Sequence, residues 1–382
     1  MTRPPRRTRD LTELAVPGYF AAMGLEYLLQ RRRAARRGPT AGTYERRDTV
    51  ASLAMGTASL LAPIAAAKVL GPLTPGRGRY GRVLLGATAC LAAVTVVADR
   101  VSAAVQRRSE PPPRAVERAR RARQVAKVTA PVAMGLGLLS ASTWWAAVTA
   151  PSALHARAQR RGWKLSGAPA LAAALIGWDG IYYLNHRAMH TSRFLWAIHD
   201  VHHSSQHYNL STALRQPVAD ALGVFVPYGL LCGLGIAPEV VATARGVNLL
   251  YQFWIHTELI DRMGRAEAVL NTPSHHRVHH GINPTYLDRN HGGILILWDR
   301  LLGTFTPETE PVTYGLTTQL DSFRLSAIAG HEYRAMVRDV GEAQNWSQRL
   351  QLMLRGPGWA RQHRPASAAL EVAGSTKVPA GS

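Results

Sequence analysis

The sequence predicts an all-α fold, a polytopic integral membrane helical bundle with a histidine-rich dimetal site on its cytoplasmic side. Three observations predict it. Apolar runs recur along the 382 residues, which are 47% hydrophobic and only 18% charged, against roughly 25% charged in soluble domains. Basic residues, 45 Lys+Arg against 24 Asp+Glu for a net charge of +21, cluster between those runs rather than along one helix face. Fifteen histidines are present, six of them within residues 186–207.

The composition also excludes. Long apolar runs are incompatible with a disordered chain, and two cysteines with a disulfide scaffold. Cys90 and Cys232 lie inside apolar runs and are expected as buried, reduced thiols. The basic balance alone would suit nucleic acid, yet no aromatic-interleaved basic motif or zinc finger accompanies it, so no nucleic-acid partner is expected. The rule that cytoplasmic loops of membrane proteins carry excess Lys and Arg explains the same charges.

A bilayer core needs about 20 mostly apolar residues per helix. Candidate spans are 11–29, 50–70, 83–98, 128–150, 168–184, 218–236 and 240–259; the third is short and the first carries Glu26. Arg3, Arg6, Arg7 and Arg9 precede the first run as in a signal peptide. No small-residue cleavage site follows before the Arg31–Arg37 block, so the run reads as an uncleaved anchor. Connections 31–49 and 99–127 hold seven and nine basic residues, those at 71–82 and 151–167 only three and four. The heavy connections are therefore cytoplasmic. Carried forward, the alternation puts 185–217 on that side too. The pair 218–236 and 240–259, joined by Ala237-Pro238-Glu239, returns the chain so that 260–310 emerges beside it. The expected division is 1–165 for N-terminal membrane helices and Arg-rich connections, 166–310 for a catalytic domain, and 311–382 for a polar tail. The last 25 or so residues are expected to be disordered.

Those two cytoplasmic stretches carry the histidines: His186-Arg-Ala-Met-His190, His199-Asp-Val-His202-His203 and His276-Arg-Val-His279-His280. Offsets of three and four stack side chains on one helix face, so each cluster is expected to present its imidazoles to one point. Eight converging imidazoles exceed what one four- to six-coordinate ion uses, and two ions share them better. Imidazole suits Zn, Cu, Fe and Ni, and no cysteine is near. His256 is placed to point at the same site, with Gln252 one turn earlier. The candidate catalytic carboxylates are Glu258, alone in the 252–258 stretch, and Asp179, inside an apolar run. Intramembrane carboxylates are functional candidates, and Asp179 is a candidate for orienting a ligand imidazole by accepting its N–H. The roles of His207, His275 and His291 stay open; His155, His331 and His363 are set aside.

The boxes HxxxH, HxxHH and a second HxxHH after a hydrophobic hairpin resemble the fatty acid hydroxylase/sterol desaturase superfamily. The strings carrying the likeness are 179–187 (DGIYYLNHR), 197–205 (AIHDVHHSS), 208–216 (YNLSTALRQ), 252–258 (QFWIHTE), 271–281 (NTPSHHRVHHG) and 292–305 (GGILILWDRLLGTF). Together with Val16-Pro-Gly-Tyr-Phe and 44–53 (YERRDTVASL), they look closest to its alkylglycerol monooxygenase-like branch. The resemblance covers about 170–310 firmly and 11–60 loosely, while 100–165 departs from it. It implies a membrane enzyme with two iron ions that uses O2 to hydroxylate or desaturate a lipid C–H bond. The ligands it implies are His186, His190, His199, His202, His203, His256, His276, His279 and His280. Some members have histidine where Gln252 stands. Glu258 matches an acidic position of the branch, where a tetrahydropterin reductant is typical.

Attack on an unactivated C–H bond requires a redox-active metal or organic cofactor. No dinucleotide-binding glycine fingerprint, P-loop or nucleophile elbow offers another chemistry. Electrons are expected from an external donor, either a tetrahydropterin or an electron-transfer protein, and the substrate from the membrane. The rival class is a membrane metal transport or storage protein without oxygenase activity. It is disfavoured because polar residues are scarce in the spans apart from Glu26 and Asp179. An adaptor role for the Arg-rich 99–127 block, contacting anionic headgroups, is expected to be accessory.

Overall fold

The computed structural model describes residues 11–219 and 228–365. The chain forms α1 (Leu11–Leu14), α2 (Val16–Arg37), α3 (Arg46–Leu70), α4 (Gly81–Gln106), α5 (Pro113–Val148), α6 (Pro151–Arg160), α7 (Gly167–Thr191) and α8 (Arg193–His203). It continues with α9 (Gly229–Gly233), α10 (Pro238–Trp254), α11 (Pro273–His280), α12 (Leu297–Leu302), α13 (Leu325–Ile328), α14 (His331–Glu342), α15 (Trp346–Leu354) and α16 (Pro357–Gln362). No β-strand occurs among the described residues; isolated bridges join Leu165 to Ile236, Leu270 to Leu295 and Gly281 to Tyr314. Proline opens α6, α10, α11 and α16, a position where its missing N–H costs no helical bond. Gly303, left-handed at φ 75°, closes α12.

Two compact units contain these elements. The first comprises residues 1–63, 146–188 and 198–329, the second 64–145, 189–197 and 330–382. In the first, small residues on one face of α7, Ala170 and Ala174, let Trp178 and its neighbours pack on Leu231, Cys232 and Ile236, and on Val241 and Ala244 of α10. A second cluster joins Met23 of α2 to Leu210, Ala213 and Phe253. A third joins Ala51 and Met55 of α3 to Val201 of α8 and Ile328 of α13. Gly56 allows the same α3 to approach the turn at 212–214, since a Cβ there would lie 2.4 Å from the Leu214 carbonyl oxygen.

In the second unit α4 and α5 pair through a 2.7 Å Thr95–Thr129 hydroxyl contact and through Ser102 donating to the Ala119 carbonyl at 3.2 Å. The fully buried Arg349 bridges to Asp99 on α4. Arg193, also fully buried, pairs with Glu332 at 2.6 Å and Asp339 at 2.8 Å.

Among the described residues, three helical stretches are long and apolar enough to cross a membrane: Arg46–Leu73, Gly81–Gln106 and Pro113–Val148. The expected spans at 50–70, 83–98 and 128–150 fall on these. The others do not. Residues 11–29 fall on α1 and α2, where α2 buries Glu26 and Gln30 and ends in arginines. The run 168–184 belongs to α7, which continues through Asn185 into the first histidine box. The expected helix at 240–259 falls on the 17-residue α10; of the one at 218–236, residues 220–227 lie outside the described residues and α9 covers 229–233. The glycines at 229, 233 and 235 and Pro238 interrupt that apolar run. Cys232 is buried as expected, but Cys90 is exposed on the outward face of α4. The tail is helical through Gln362, because Ala360 packs on Leu352 and Ala343. The expected disorder beyond 365, and the arginines at 3, 6, 7 and 9, lie outside the described residues.

Gly235 tests this packing. It sits at φ +87°, and a Cβ would lie 2.6 Å from the Trp163 carbonyl oxygen. Gly235→Ala is expected to cost about 1–3 kcal/mol through strain and overpacking, seen as a lower thermal unfolding midpoint in detergent.

Candidate metal centre

The three histidine boxes sit on α7, α8 and α11, and the nine histidines of the expected set are only 2–9% exposed. They form two groups in which one nitrogen from each residue lies within 4.8 Å of the others: His186, His190, His199, His203 and His279, and His202, His256, His276 and His280. His190 enters the first group because it follows His186 by one turn of the same unbroken helix.

The division corrects the expectation that each box points at one centre. On a helix, residue i+4 is rotated by about 40° from i and residue i+3 by about 60° the other way. The i,i+4 pair therefore faces one centre while i+3 turns toward its neighbour. His199 and His203 of α8 join the first group and His202 the second; His276 and His280 of α11 join the second and His279 the first. The groups adjoin, with the His203 and His280 ring centroids 4.4 Å apart.

Hydrogen bonds fix which nitrogen faces inward. Nδ1 of His186 donates to the His291 carbonyl at 2.8 Å, His202 to Arg215 at 3.3 Å, His256 to Gln252 at 2.7 Å and His279 to Arg289 at 3.0 Å. A carbonyl only accepts, so each Nδ1 carries the proton and each Nε2 a bare lone pair. His202 and His256 then aim lone pairs at one another across 3.1 Å. That contact is repulsive unless a cation sits between them. Two nitrogens at a right angle on an ion, each about 2.1 Å away, stand about 3.0 Å apart. The Nε2 pairs His186–His199 at 2.8 Å, His199–His203 at 3.1 Å and His256–His276 at 2.9 Å have the same spacing. Nε2 of His280 is buried with no hydrogen-bond partner. The residues present fit two imidazole-bound cations.

Burial keeps four of the rings in the ligating form. It pushes His202, His276 and His280 well below the ordinary imidazole value of 6.5, and His256 down to about 4.

The surrounding loops are held by polar side chains. Asp299 accepts from the backbone N–H of His291 at 2.8 Å and of Gly292 at 2.7 Å, placing the carbonyl that orients His186. Asn290 adopts a left-handed φ of 54°. Its amide donates to the carbonyls of His275 and Thr306 and accepts from Thr306 N. Arg277, between two ligand candidates, grips Glu308 at 2.7 Å and donates to the Thr257 and Ile260 carbonyls, tying the segment after His256 to α11. Sequence reasoning missed these residues, although Asp299 lies inside the 292–305 string.

Asp179 does not orient an imidazole. It accepts from the backbone N–H of Ile294 at 2.7 Å and Leu295 at 3.1 Å, from Trp298 Nε1 at 2.9 Å and from Asn248 at 2.6 Å. Four donors fill the carboxylate, which anchors the 292–298 segment on α7 and α10. Gln252 bonds Asn248 through its side chain and offers its backbone carbonyl to His256. Glu258 lies outside both donor groups. It accepts from the Tyr314 hydroxyl, and Tyr314 stacks at 4.8 Å on Tyr208, whose ring lies 5.2 Å from His280. His291 stays beside the first group, its ring centroid 5.6 Å from those of His186 and His279. His275 turns away, edge-on to Phe305.

Residues 171–304 match the fatty acid hydroxylase family, and the chain carries a fatty acid hydroxylase domain. It is similar to alkylglycerol monooxygenase from Danio rerio, 48% identical over 186 residues, 49% of this chain and 42% of that protein. The same protein from Homo sapiens is 44% identical over 187 residues, again 49% and 42%. Ornithine lipid hydroxylase OlsE from Rhizobium tropici is 29% identical over 154 residues, 38% and 45%. The chain thus spans about two fifths of the length of the curated relatives first named. No solved structure matches it.

Two measurements follow. In the unfolded chain each imidazole gains its proton near pH 6.5, whereas folded His256 resists until about pH 4. Its stabilising contribution is full above pH 6.5 and is lost as pH falls toward 4. Chelator-stripped protein is expected to unfold at a clearly lower temperature at pH 5 than at pH 7.5. Asp179→Ala would strand four donors, that of Asn248 buried and those of Ile294, Leu295 and Trp298 half-buried, and cost about 3 kcal/mol, measurable by urea or thermal unfolding.

Proposed function

We propose that the chain is a membrane-bound lipid monooxygenase in which the nine histidines hold two iron ions. One observation carries the reading: the lone pairs of His202 and His256 face each other at 3.1 Å with both Nδ1 protons committed to carbonyls. Such a contact is stable only around a cation. The bound ions would supply O2 activation and, with electrons from an external tetrahydropterin or electron-transfer protein, oxidation of a C–H bond.

The protein's own part is positional. The histidines are neutral donors, so the pair of ions keeps its positive charge. Burial excludes bulk water from the reacting carbon. Asp179 and Asp299 hold the 291–298 segment against α7, and Tyr208 and Tyr314 wall the second ion group. Domain 166–310 is the catalytic unit in this reading, faces the cytoplasm beside the arginine-rich connections, and receives its substrate from the bilayer. The relatives' names point to glycerol ether and ornithine lipids, and therefore to a lipid with a polar head and a long alkyl chain. Hydroxylation is favoured over desaturation because those relatives are named as hydroxylating enzymes.

Purified protein is expected to hold two irons per chain and to consume O2 only with reductant and an alkylglycerol-type lipid. His202→Ala and His279→Ala, one in each donor group, should each lower turnover by more than about 100-fold. Full activity in both variants would overturn the ligand assignment. Bound metal without reductant-dependent O2 uptake would favour the storage or transport class.

A further inference from the structure

The 44–53 string lies outside the 171–304 family match, and the structure gives it a role at the metal centre. We infer that Asp48 and Ser52 of α3 are positioning residues for His202, acting through Arg215.

Arg215 is 1% exposed in the interior. Its backbone carbonyl accepts the Nδ1 proton of His202 and so sets that ring's tautomer and aim. Its guanidinium is held on every side. Nη2 donates to Asp48 Oδ1 at 2.5 Å and to the Asp48 carbonyl at 2.9 Å. Nε donates to Ser52 Oγ and Nη1 to Ser204 Oγ, both at 3.1 Å. The other Asp48 oxygen accepts from Ser205 Oγ at 2.7 Å, and the Asp48 N–H donates to Glu45 at 2.6 Å. Ser204 and Ser205 directly follow the ligand candidates His202 and His203. Both ends of the His202 attachment, its helix terminus and the carbonyl it donates to, are therefore fastened to the same ion pair on α3.

The carboxylate matters twice. It fixes the arginine side chain and hence the 212–215 turn that presents the carbonyl. It also neutralises a buried guanidinium that would otherwise repel a cation bound by the neighbouring imidazoles. The first donor group has a separate support, with His186 and His279 aimed by the carbonyls of His291 and Arg289. Loss of Asp48 should weaken the His202 group selectively.

The inference rests on the two-ion reading, and the test separates the two. Metal-stripped full-length protein in detergent is titrated anaerobically with Fe(II), and with Co(II) as a spectroscopic probe. The wild type is expected to bind two ions per chain; binding of none would overturn the two-ion reading itself. Asp48→Asn should keep one ion at wild-type affinity and weaken the other by about tenfold or more, with an altered Co(II) ligand-field spectrum. Asp48→Glu should recover part of that loss. Should Asp48→Asn fail to fold, Ser205→Ala and Ser52→Ala keep the charge pair and should shift the same ion by smaller factors. Two ions bound as in the wild type, or equal weakening of both in step with a lower unfolding temperature, would overturn the positioning role.

Discussion

Everything at the centre of this molecule depends on the repulsion between imidazole lone pairs. Nine rings are gathered in the interior, where burial disfavours protonation of His202, His256, His276 and His280, and several of the nine are denied the alternative tautomer by backbone carbonyls that take the Nδ1 proton. Bare nitrogens about 3 Å apart are a poor arrangement for an empty core and a good one for ligands around a cation. The polar scaffolding outside them is the means of imposing that arrangement: Asp179 and Asp299 on the 291–298 segment, Arg277 on the segment after His256, and Arg215 on the turn behind His202.

The scaffold is economical in charge. The groups that aim the inward-facing rings are carbonyl oxygens, and the carboxylates nearby spend themselves on backbone N–H groups, a tryptophan, an asparagine and two arginines. Cations held this way would keep more of their positive charge than they would beside carboxylate ligands. The aromatic wall of Tyr208 and Tyr314, with Glu258 behind it, closes the second group without adding a formal charge to its inner surface.

The histidines were readable in the sequence because their spacing is a helical code, and the strings around them supplied the family likeness. What spacing alone did not disclose is that each HxxHH box divides between two centres; that follows from the rotation per residue only once the helices are seen to face each other. The spans at 50–70, 83–98 and 128–150 were legible from apolarity and length. Of the expected hairpin at 218–259, residues 220–227 lie outside the described residues, and its second helix falls on α10, which at 17 residues is short for a span. Asp179 looked like a partner for an imidazole because a carboxylate in an apolar stretch is rare. Its four donors come from segments far along the chain, 248 and 294–298, which no local pattern reveals. Asp48 and Arg215 were quoted only as parts of similar strings, since 167 positions separate them.

The division of the boxes couples the two centres mechanically. Because α8 and α11 each contribute to both groups, neither donor group is complete unless both helices are seated, and fraying of either helix would open the two together.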